Sequence, residues 1–284
     1  MIETDFLICP ICGARLVKEE KCLFCTSKET KKRHCFDISS SGYADLSYRN
    51  GGSGDPKDAV TDRTAFLDKG YYQPLSHKIN EICKQYLNED FLLVDAGCGE
   101  GYYSERIAFE FTDAYVYGAD LSKHAVHRAS VRRNIRGGNN SFYSVASIFS
   151  LPVAPNAADC VLSMFAPVAE DEVLRILKDG GYLIIGAAGL KHLYDLKEAI
   201  YEEVHLNEER ADLPRKLSLV DKVNVAYKAS IDSNDDILRL FGMTPYRFRT
   251  SEKSIELLKK LDCLEVEVNV DFYVYRKMLE KGKE

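Results

Sequence analysis

At 284 residues, with 45% hydrophobic and 29% charged residues, the chain can bury a sizeable core and has the composition of an ordinary globular protein. No apolar run reaches the roughly 18 residues that span a bilayer, and Met1 to Phe6 lacks the charged-then-apolar pattern of a signal peptide. The expectation is therefore a cytoplasmic chain of one α/β domain plus a small appendage. A net charge of −6 argues against a large nonspecific nucleic-acid surface, since phosphate binding rests on Lys and Arg, but leaves local basic patches open.

The appendage lies at the N-terminus. Of nine cysteines, five (Cys9, Cys12, Cys22, Cys25 and Cys35) fall in the first 35 residues, and in a cytosolic protein such clustering favours metal ligation over disulfides. Cys9-Pro10-Ile11-Cys12-Gly13 is a knuckle signature, two thiolates on a tight turn, and the pair Cys22-Leu23-Phe24-Cys25 follows nine residues later. Four thiolates at this spacing predict a closed, tetrahedral structural zinc site of Cys9, Cys12, Cys22 and Cys25. His34 and Cys35 follow closely, so other ligand sets stay open. The basic stretch Lys28, Lys31, Lys32 and Arg33 is either solvated surface or a positive face offered to RNA. Asn50-Gly51-Gly52-Ser53-Gly54-Asp55-Pro56 then reads as a flexible linker. This divides the chain into a zinc-binding module at 1–49, a linker at 50–60 and a second domain at 61–284.

Beyond the linker, strand-length apolar runs alternate with helical periods. Strands are expected at 91–95, 115–119, 142–146, 158–164 and 182–186, and helices at 102–111, 122–133 and 169–177, with a turn at Asp179-Gly180-Gly181. Alternation of this kind implies a mostly parallel, Rossmann-like sheet wrapped by helices. The C-terminal third differs, with helices at 192–204, 234–241 and 251–261, a break at Pro245, and two strands at 222–228 and 264–275 that read as an antiparallel pair closing the sheet edge. Cys83 and Cys263 read as core residues.

Asp95-Ala96-Gly97-Cys98-Gly99-Glu100-Gly101 joins the first of these strands to its helix. Glycines there let the chain turn sharply and bring its backbone against a ligand at the C-terminal edge of a parallel strand. A dinucleotide fold would show G-x-G-x-x-G, and here the third glycine comes one residue early. Asp95 would also oppose a pyrophosphate, whereas it suits a cationic amino-acid moiety. The expectation is thus a class I methyltransferase fold with a seven-stranded sheet, binding S-adenosylmethionine through Asp95, Gly97, Cys98, Gly99 and Gly101. Asp120, with Leu121, ends the next strand 25 residues after Asp95, where a carboxylate accepts both ribose hydroxyls; the competing reading is an N-cap. In this class Ala146 and Ser147 border the adenine, and Phe165 lies where the acceptor meets the methyl group, either stacking on a base or filling the core. No residue is assigned as the catalytic base. A small-molecule acceptor such as a quinone, or a noncatalytic zinc RNA-binding protein, remain the competing readings.

Taken together, Cys9-Pro10-Ile11-Cys12, His34-Cys35-Phe36-Asp37 with Gly42-Tyr43, Arg63 with Phe66-Leu67, Gly70 to Leu75, Asp95 to Tyr103, Tyr201 to Leu206 and Met243-Thr244-Pro245-Tyr246 resemble the RlmA-type guanine-N1 methyltransferases of large-subunit (23S) ribosomal RNA. The resemblance covers nearly the whole chain. It implies a zinc module that helps grip an RNA hairpin and a domain that methylates N1 of one guanine in its loop, in a family with one branch tied to macrolide resistance. It implies zinc ligands Cys9, Cys12, Cys25 and His34, in which His34 replaces the Cys22 that local spacing favours. It also implies cofactor contacts from Tyr72, Tyr103, Ser104 and His192, and a homodimer.

Overall fold

The computed structural model describes residues 4–28, 32–47, 54–208, 210 and 213–278. Lys31 of the basic stretch and Asn50 to Ser53 of the expected linker lie outside the described residues.

The N-terminal segment forms a three-stranded antiparallel ribbon of β1 (Leu16–Glu19), β2 (Cys22–Cys25) and β3 (Cys35–Asp37), in that order. It is packed on the main domain. Ile8 N–H donates to Pro152 C=O at 3.0 Å, Ala154 N–H donates to Phe6 C=O at 2.8 Å, and the Phe6 ring packs 5.7 and 5.5 Å from Tyr115 and Tyr117. The short strand β4 (Ala44–Asp45) then pairs in parallel with the main sheet. Residues 57–60, expected in the linker, instead open helix α1 (Lys57–Asp68), whose start is set by Pro56 at the N-cap. Helix α2 (Gln73–Tyr86) follows, with Pro74 in its first turn and Leu75, Ile79, Ile82 and Cys83 on the buried face. Neither helix is foreseen from the sequence alone.

The central domain alternates as expected: β5 (Leu92–Ala96), α3 (Tyr102–Glu110), β6 (Tyr115–Asp120), α4 (Lys123–Arg136), β7 (Ser141–Val145), β8 (Ala158–Met164), α5 (Glu170–Ile176) and β9 (Leu177–Ala188). β5 to β8 are buried along nearly their whole length, as strands covered on both faces by helices must be. Helix α6 (Tyr194–Ile200) is shorter than predicted, because Leu193 adopts a left-handed conformation at its start and the chain is extended from Tyr201. Then come β10 (Ser218–Ile231), α7 (Asn234–Gly242), a single 3-10 turn (Pro245–Phe248), α8 (Glu252–Leu258) and β11 (Leu264–Arg276). Cys83 is core, but Cys263, in the turn before β11, is exposed.

The main sheet has the order β10-β11-β9-β8-β5-β6-β7-β4, eight strands where seven were expected; the eighth is β4. β4 to β9 run parallel, and β10 and β11 form the expected antiparallel pair at the edge. Strand order reverses at β5, flanked by β6 and β8. Their C-terminal ends therefore diverge into a crevice, which is where open α/β sheets bind ligands.

Gly101, the last glycine of the loop, caps α3 at φ +76°; a Cβ there would sit 2.8 Å from the Ala129 Cβ of α4. Its absent side chain lets α3 and α4 touch, so its role is packing. Gly101→Ala combines left-handed strain with this overlap and should lower stability by about 2 kcal/mol. Urea unfolding checks this; an unchanged midpoint would mean that α4 yields without cost.

Candidate functional site

A cavity of about 1010 Å³ opens at the C-terminal ends of β5, β6 and β8. Its floor is the glycine loop, with Gly97 at φ +88° and Gly99 at φ +54°. A Cβ on Gly97 would lie 2.8 Å from that of Ala166, so only glycine lets the β5 and β8 loops meet. The N–H groups of Gly97 and Cys98 donate to Ala119 C=O at 2.8 and 3.1 Å, which locks the loop against β6.

Asp120 closes that lock. Its Oδ2 accepts the Gly99 N–H at 3.0 Å and its Oδ1 accepts the Ser122 N–H at 2.7 Å. The side-chain cap of α4 is Ser122, whose Oγ accepts from Ala125 N–H, so Asp120 is not spent as an N-cap. Each carboxylate oxygen keeps a free lone pair in the cavity wall. Burial raises the Asp120 pKa against the lowering effect of those two N–H groups and Arg63.

Asp95 is less well supplied. Its Oδ2 accepts the Ser104 hydroxyl at 2.5 Å, while Oδ1 is buried with no partner. Burial pushes its pKa up to about 7, with the Asp120 and Glu100 charges adding to the effect. Glu100, also buried, faces Arg63 Nε at 3.4 Å, and Arg63 pairs in addition with Asp55. Two buried carboxylates, Asp95 and Glu100, and the half-buried Asp120 thus stand along one wall with Arg63 beside them. Such a wall suits a positively charged guest.

The opposite wall is aromatic. Phe165 holds a left-handed backbone (φ +53°), which directs its ring to the cavity mouth, 43% exposed and stacked on His192 at 5.5 Å and 23°. Tyr72 lies 6.4 Å from Phe165, and its Oη is 3.4 Å from His192 Nε2. His192 Nδ1 accepts the Asn269 N–H at 3.2 Å, so the ring proton sits on Nε2 and is donated to Tyr72. Burial pushes the His192 pKa down to about 4, which keeps the ring neutral. Tyr103 Oη is buried beside them without a partner.

Of the expected site residues, Tyr72, Asp95, Gly97, Cys98, Gly99, Tyr103, Asp120, Leu121, Phe165 and His192 line the cavity. Gly101 and Ser104 stand behind it, the first packing on α4 and the second holding Asp95. Ala146 and Ser147 are also set back. Ala146 is buried in the core, and Ser147 Oγ accepts the Phe149 N–H in a tight turn, so Ile148 and Phe149 form the wall in their place. Asp55, Arg63, Glu100, Met164, Asn207, Arg210 and the 242–248 segment also line it. Of these, Arg63, Glu100 of the glycine loop and Met243 to Tyr246 stand among the family-like segments, without a role; nothing local marks the others.

In the N-terminal ribbon, Cys9, Cys12, Cys25 and His34 converge, every donor within 4.8 Å of the others. His34 Nδ1 lies 3.4 Å from Cys9 Sγ and 3.6 Å from Cys25 Sγ. This corrects the four-cysteine set: Cys22 is not part of the cluster. Side chains alternate along a strand, so Cys22 and Cys25, three apart on β2, point to opposite faces. Cys22 gathers instead with Cys35 and Asp37.

Residues 87–241 match a family model described as a methyltransferase domain. The 23S rRNA (guanine(748)-N(1))-methyltransferase of Streptomyces fradiae is 33% identical over 199 residues, covering 69% of this chain and 68% of that protein. A Bacillus subtilis protein provisionally named as a 23S rRNA (guanine-N(1)-)-methyltransferase is 26% identical over 294 residues, covering 96% of this chain and 98% of its own length. Among solved structures, the YcgJ protein of Bacillus subtilis superposes with a TM-score of 0.48 at 15% identity, over 72% of this chain and 99% of that one. No helix among the described residues is long and apolar enough to cross a membrane.

The Asp95 pKa carries a consequence for the ligand-free protein. Its folded value, about 7, lies above the ordinary 3.8, so its contribution to stability is full below pH 3.8, falls as pH rises between the two values and is gone above 7. Asp95→Asn removes that loss. The variant should melt several degrees above the parent at pH 8.5 and near it at pH 4 in differential scanning fluorimetry; equal differences at both values would mean that Asp95 ionises without penalty.

Proposed function

We infer the activity of this chain from its kinship: it belongs to the 23S rRNA (guanine-N1)-methyltransferase family. The proposed reaction is transfer of a methyl group from S-adenosylmethionine to N1 of a guanine in a hairpin loop of large-subunit rRNA. The observation that carries the proposal is the pair of carboxylates, buried Asp95 and half-buried Asp120, at the ends of adjacent parallel strands with unused acceptor capacity toward one cavity.

The cofactor, when bound, supplies a methyl group already activated on a sulfonium. The residues present fit it. Asp120 would accept the ribose hydroxyls. The orphan Asp95 Oδ1 would accept the amino-acid ammonium, and the orphan Tyr103 hydroxyl would donate to its carboxylate. Leu121, Ile148 and Phe149 would enclose the base, and the loop glycines let the backbone approach. The cofactor's net positive charge matches the acidic wall, a preference that a neutral or anionic dinucleotide would not share.

The half-exposed Phe165 ring, backed by His192 and Tyr72, offers a platform for a guanine turned out of its loop. His192 does not take the N1 proton, because its Nδ1 lone pair is occupied by the Asn269 N–H and its Nε2 carries a proton. Its part is to hold Phe165 and Tyr72. Alignment of N1 with the methyl group and exclusion of water from the cavity account for catalysis on this reading.

At the other end of the chain, three thiolates and one imidazole suit tetrahedral zinc, and Cys9, Cys12, Cys25 and His34 would hold it. The ribbon so fixed would present Lys28 and Lys32 toward an RNA hairpin, while Arg33 is engaged with Glu19 and the Phe24 ring.

Asp120→Ala removes an acceptor of charge-assisted hydrogen bonds and should weaken cofactor binding by about tenfold or more in calorimetry. Unchanged affinity would remove Asp120 from the ribose site. For the acceptor, large-subunit RNA treated with enzyme and cofactor should give a new reverse-transcription stop at one guanine, since N1 methylation blocks pairing; treated RNA without such a stop rules out N1. His34→Ala should lose zinc and weaken RNA binding while cofactor affinity holds within twofold. RNA binding equal to that of the parent would separate the zinc module from recognition.

A further inference from the structure

Of the N-terminal cysteines, Cys22 and Cys35 are left outside the first cluster. The ribbon explains where they go. Cys25 N–H donates to His34 C=O, and Leu23 faces Phe36 in the register, so residues 23, 25, 34 and 36 share one face. By alternation 22, 24, 35 and 37 share the other. The face of Leu23 and Cys25, both fully buried, is the inner one, and that of Cys22 and Cys35 is the outer one.

On that outer face Cys22 lies opposite Asp37, with its thiol 3.2 Å from Asp37 Oδ1, and Cys35 is the diagonal neighbour of Cys22. All three donor atoms lie within 4.8 Å of one another. We propose that Cys22, Cys35 and Asp37 form a second metal site on the outer face of the ribbon, taking a borderline-soft divalent cation such as zinc, with its fourth position open to water.

The donor set and its spacing both support this. Zinc bound by sulfur at about 2.3 Å and by oxygen at about 2.1 Å holds tetrahedral donors about 3.5 to 3.8 Å apart. The present separations reach that range through small side-chain rotations. Two thiolates select for zinc over magnesium or calcium, which prefer all-oxygen shells. Binding would release the two thiol protons to solvent as two S–metal bonds form, and the carboxylate supplies the third. Cys35 and Asp37 are exposed, which leaves room for a water ligand. A disulfide fits less well, because diagonal residues on adjacent antiparallel strands stand about 7 Å apart, against a Cβ separation of about 3.8 Å in a disulfide.

The two sites would divide the labour on one ribbon. The inner one ties the knuckle at Cys9 and Cys12 to β2 and His34. The outer one ties β2 to β3 directly, at the opposite end of the pair. Because its ligands are surface residues, it can be removed without opening the core.

The test uses the full chain, loaded with zinc and dialysed against metal-free buffer. Elemental analysis should give two zinc per chain for the parent and one for Cys22→Ser/Cys35→Ser. Alkylation with iodoacetamide read by peptide mass gives the site: Cys22 and Cys35 should be protected in the loaded protein and become reactive after chelation, while the exposed Cys263 reacts throughout. The single variant Asp37→Asn, which keeps both thiols, should lower zinc retention at the outer site at least tenfold on titration with a competing chelator. One zinc per chain with Cys22 and Cys35 as reactive as Cys263 would overturn the proposal, as would a Cys22–Cys35 disulfide in protein handled without reductant. Failure of the inner site is read separately, as reactive Cys12 in the loaded parent.

Discussion

The organising constraint of this molecule is a pair of carboxylates, one buried and one half-buried, where two central parallel strands end. Asp95 and Asp120 stand at the C-terminal ends of β5 and β6, two residues apart in register, and neither meets a full set of donors. In the free protein that arrangement is costly, as the raised Asp95 pKa records. It becomes favourable once a positively charged guest enters, so the same residues that weaken the empty fold define what it accepts.

Keeping those carboxylates in place takes most of the surrounding architecture. The loop glycines allow the turn that brings Gly99 N–H to Asp120, Gly101 lets α3 and α4 close behind it, and Ser104 in α3 holds one Asp95 oxygen. Arg63, from a helix outside the alternating β/α order, offsets Glu100 and reaches the same region. On the far wall, Asn269 of β11, in the antiparallel pair at the sheet edge, fixes the tautomer of His192, which in turn orders Tyr72 and Phe165. The antiparallel edge is therefore a participant in the site as well as a closure of the sheet.

Much of this was legible in the sequence, and the limits have physical causes. The β5 loop, Asp120 and the parallel order follow from local patterns: apolar runs of strand length, helical periods, and a glycine spacing that only a tight turn explains. Cys22 falls outside the Cys9, Cys12, Cys25 and His34 cluster because the knuckle spacing of Cys22 and Cys25 assumes a turn, whereas their segment is a strand, and strand alternation splits the pair. Ala146 and Ser147 were placed by analogy along the chain; the turn held by Ser147 Oγ carries the next two side chains to the wall instead. Helix α1, strand β4 and the 242–248 segment owe their places to partners far away in sequence, which no local pattern encodes.

The parallel pairing of β4 with β7 sets a timetable for synthesis. Ala44 pairs with Ser144, one hundred residues later, so at about 5 to 20 residues per second the ribbon waits roughly 5 to 20 s before its docking strand exists. Throughout that interval its cysteines and His34 have already been made. On the zinc reading proposed above, metal binding and docking would thus be separate events in synthesis, the first needing only residues 9–34 and the second residues made more than a hundred positions later.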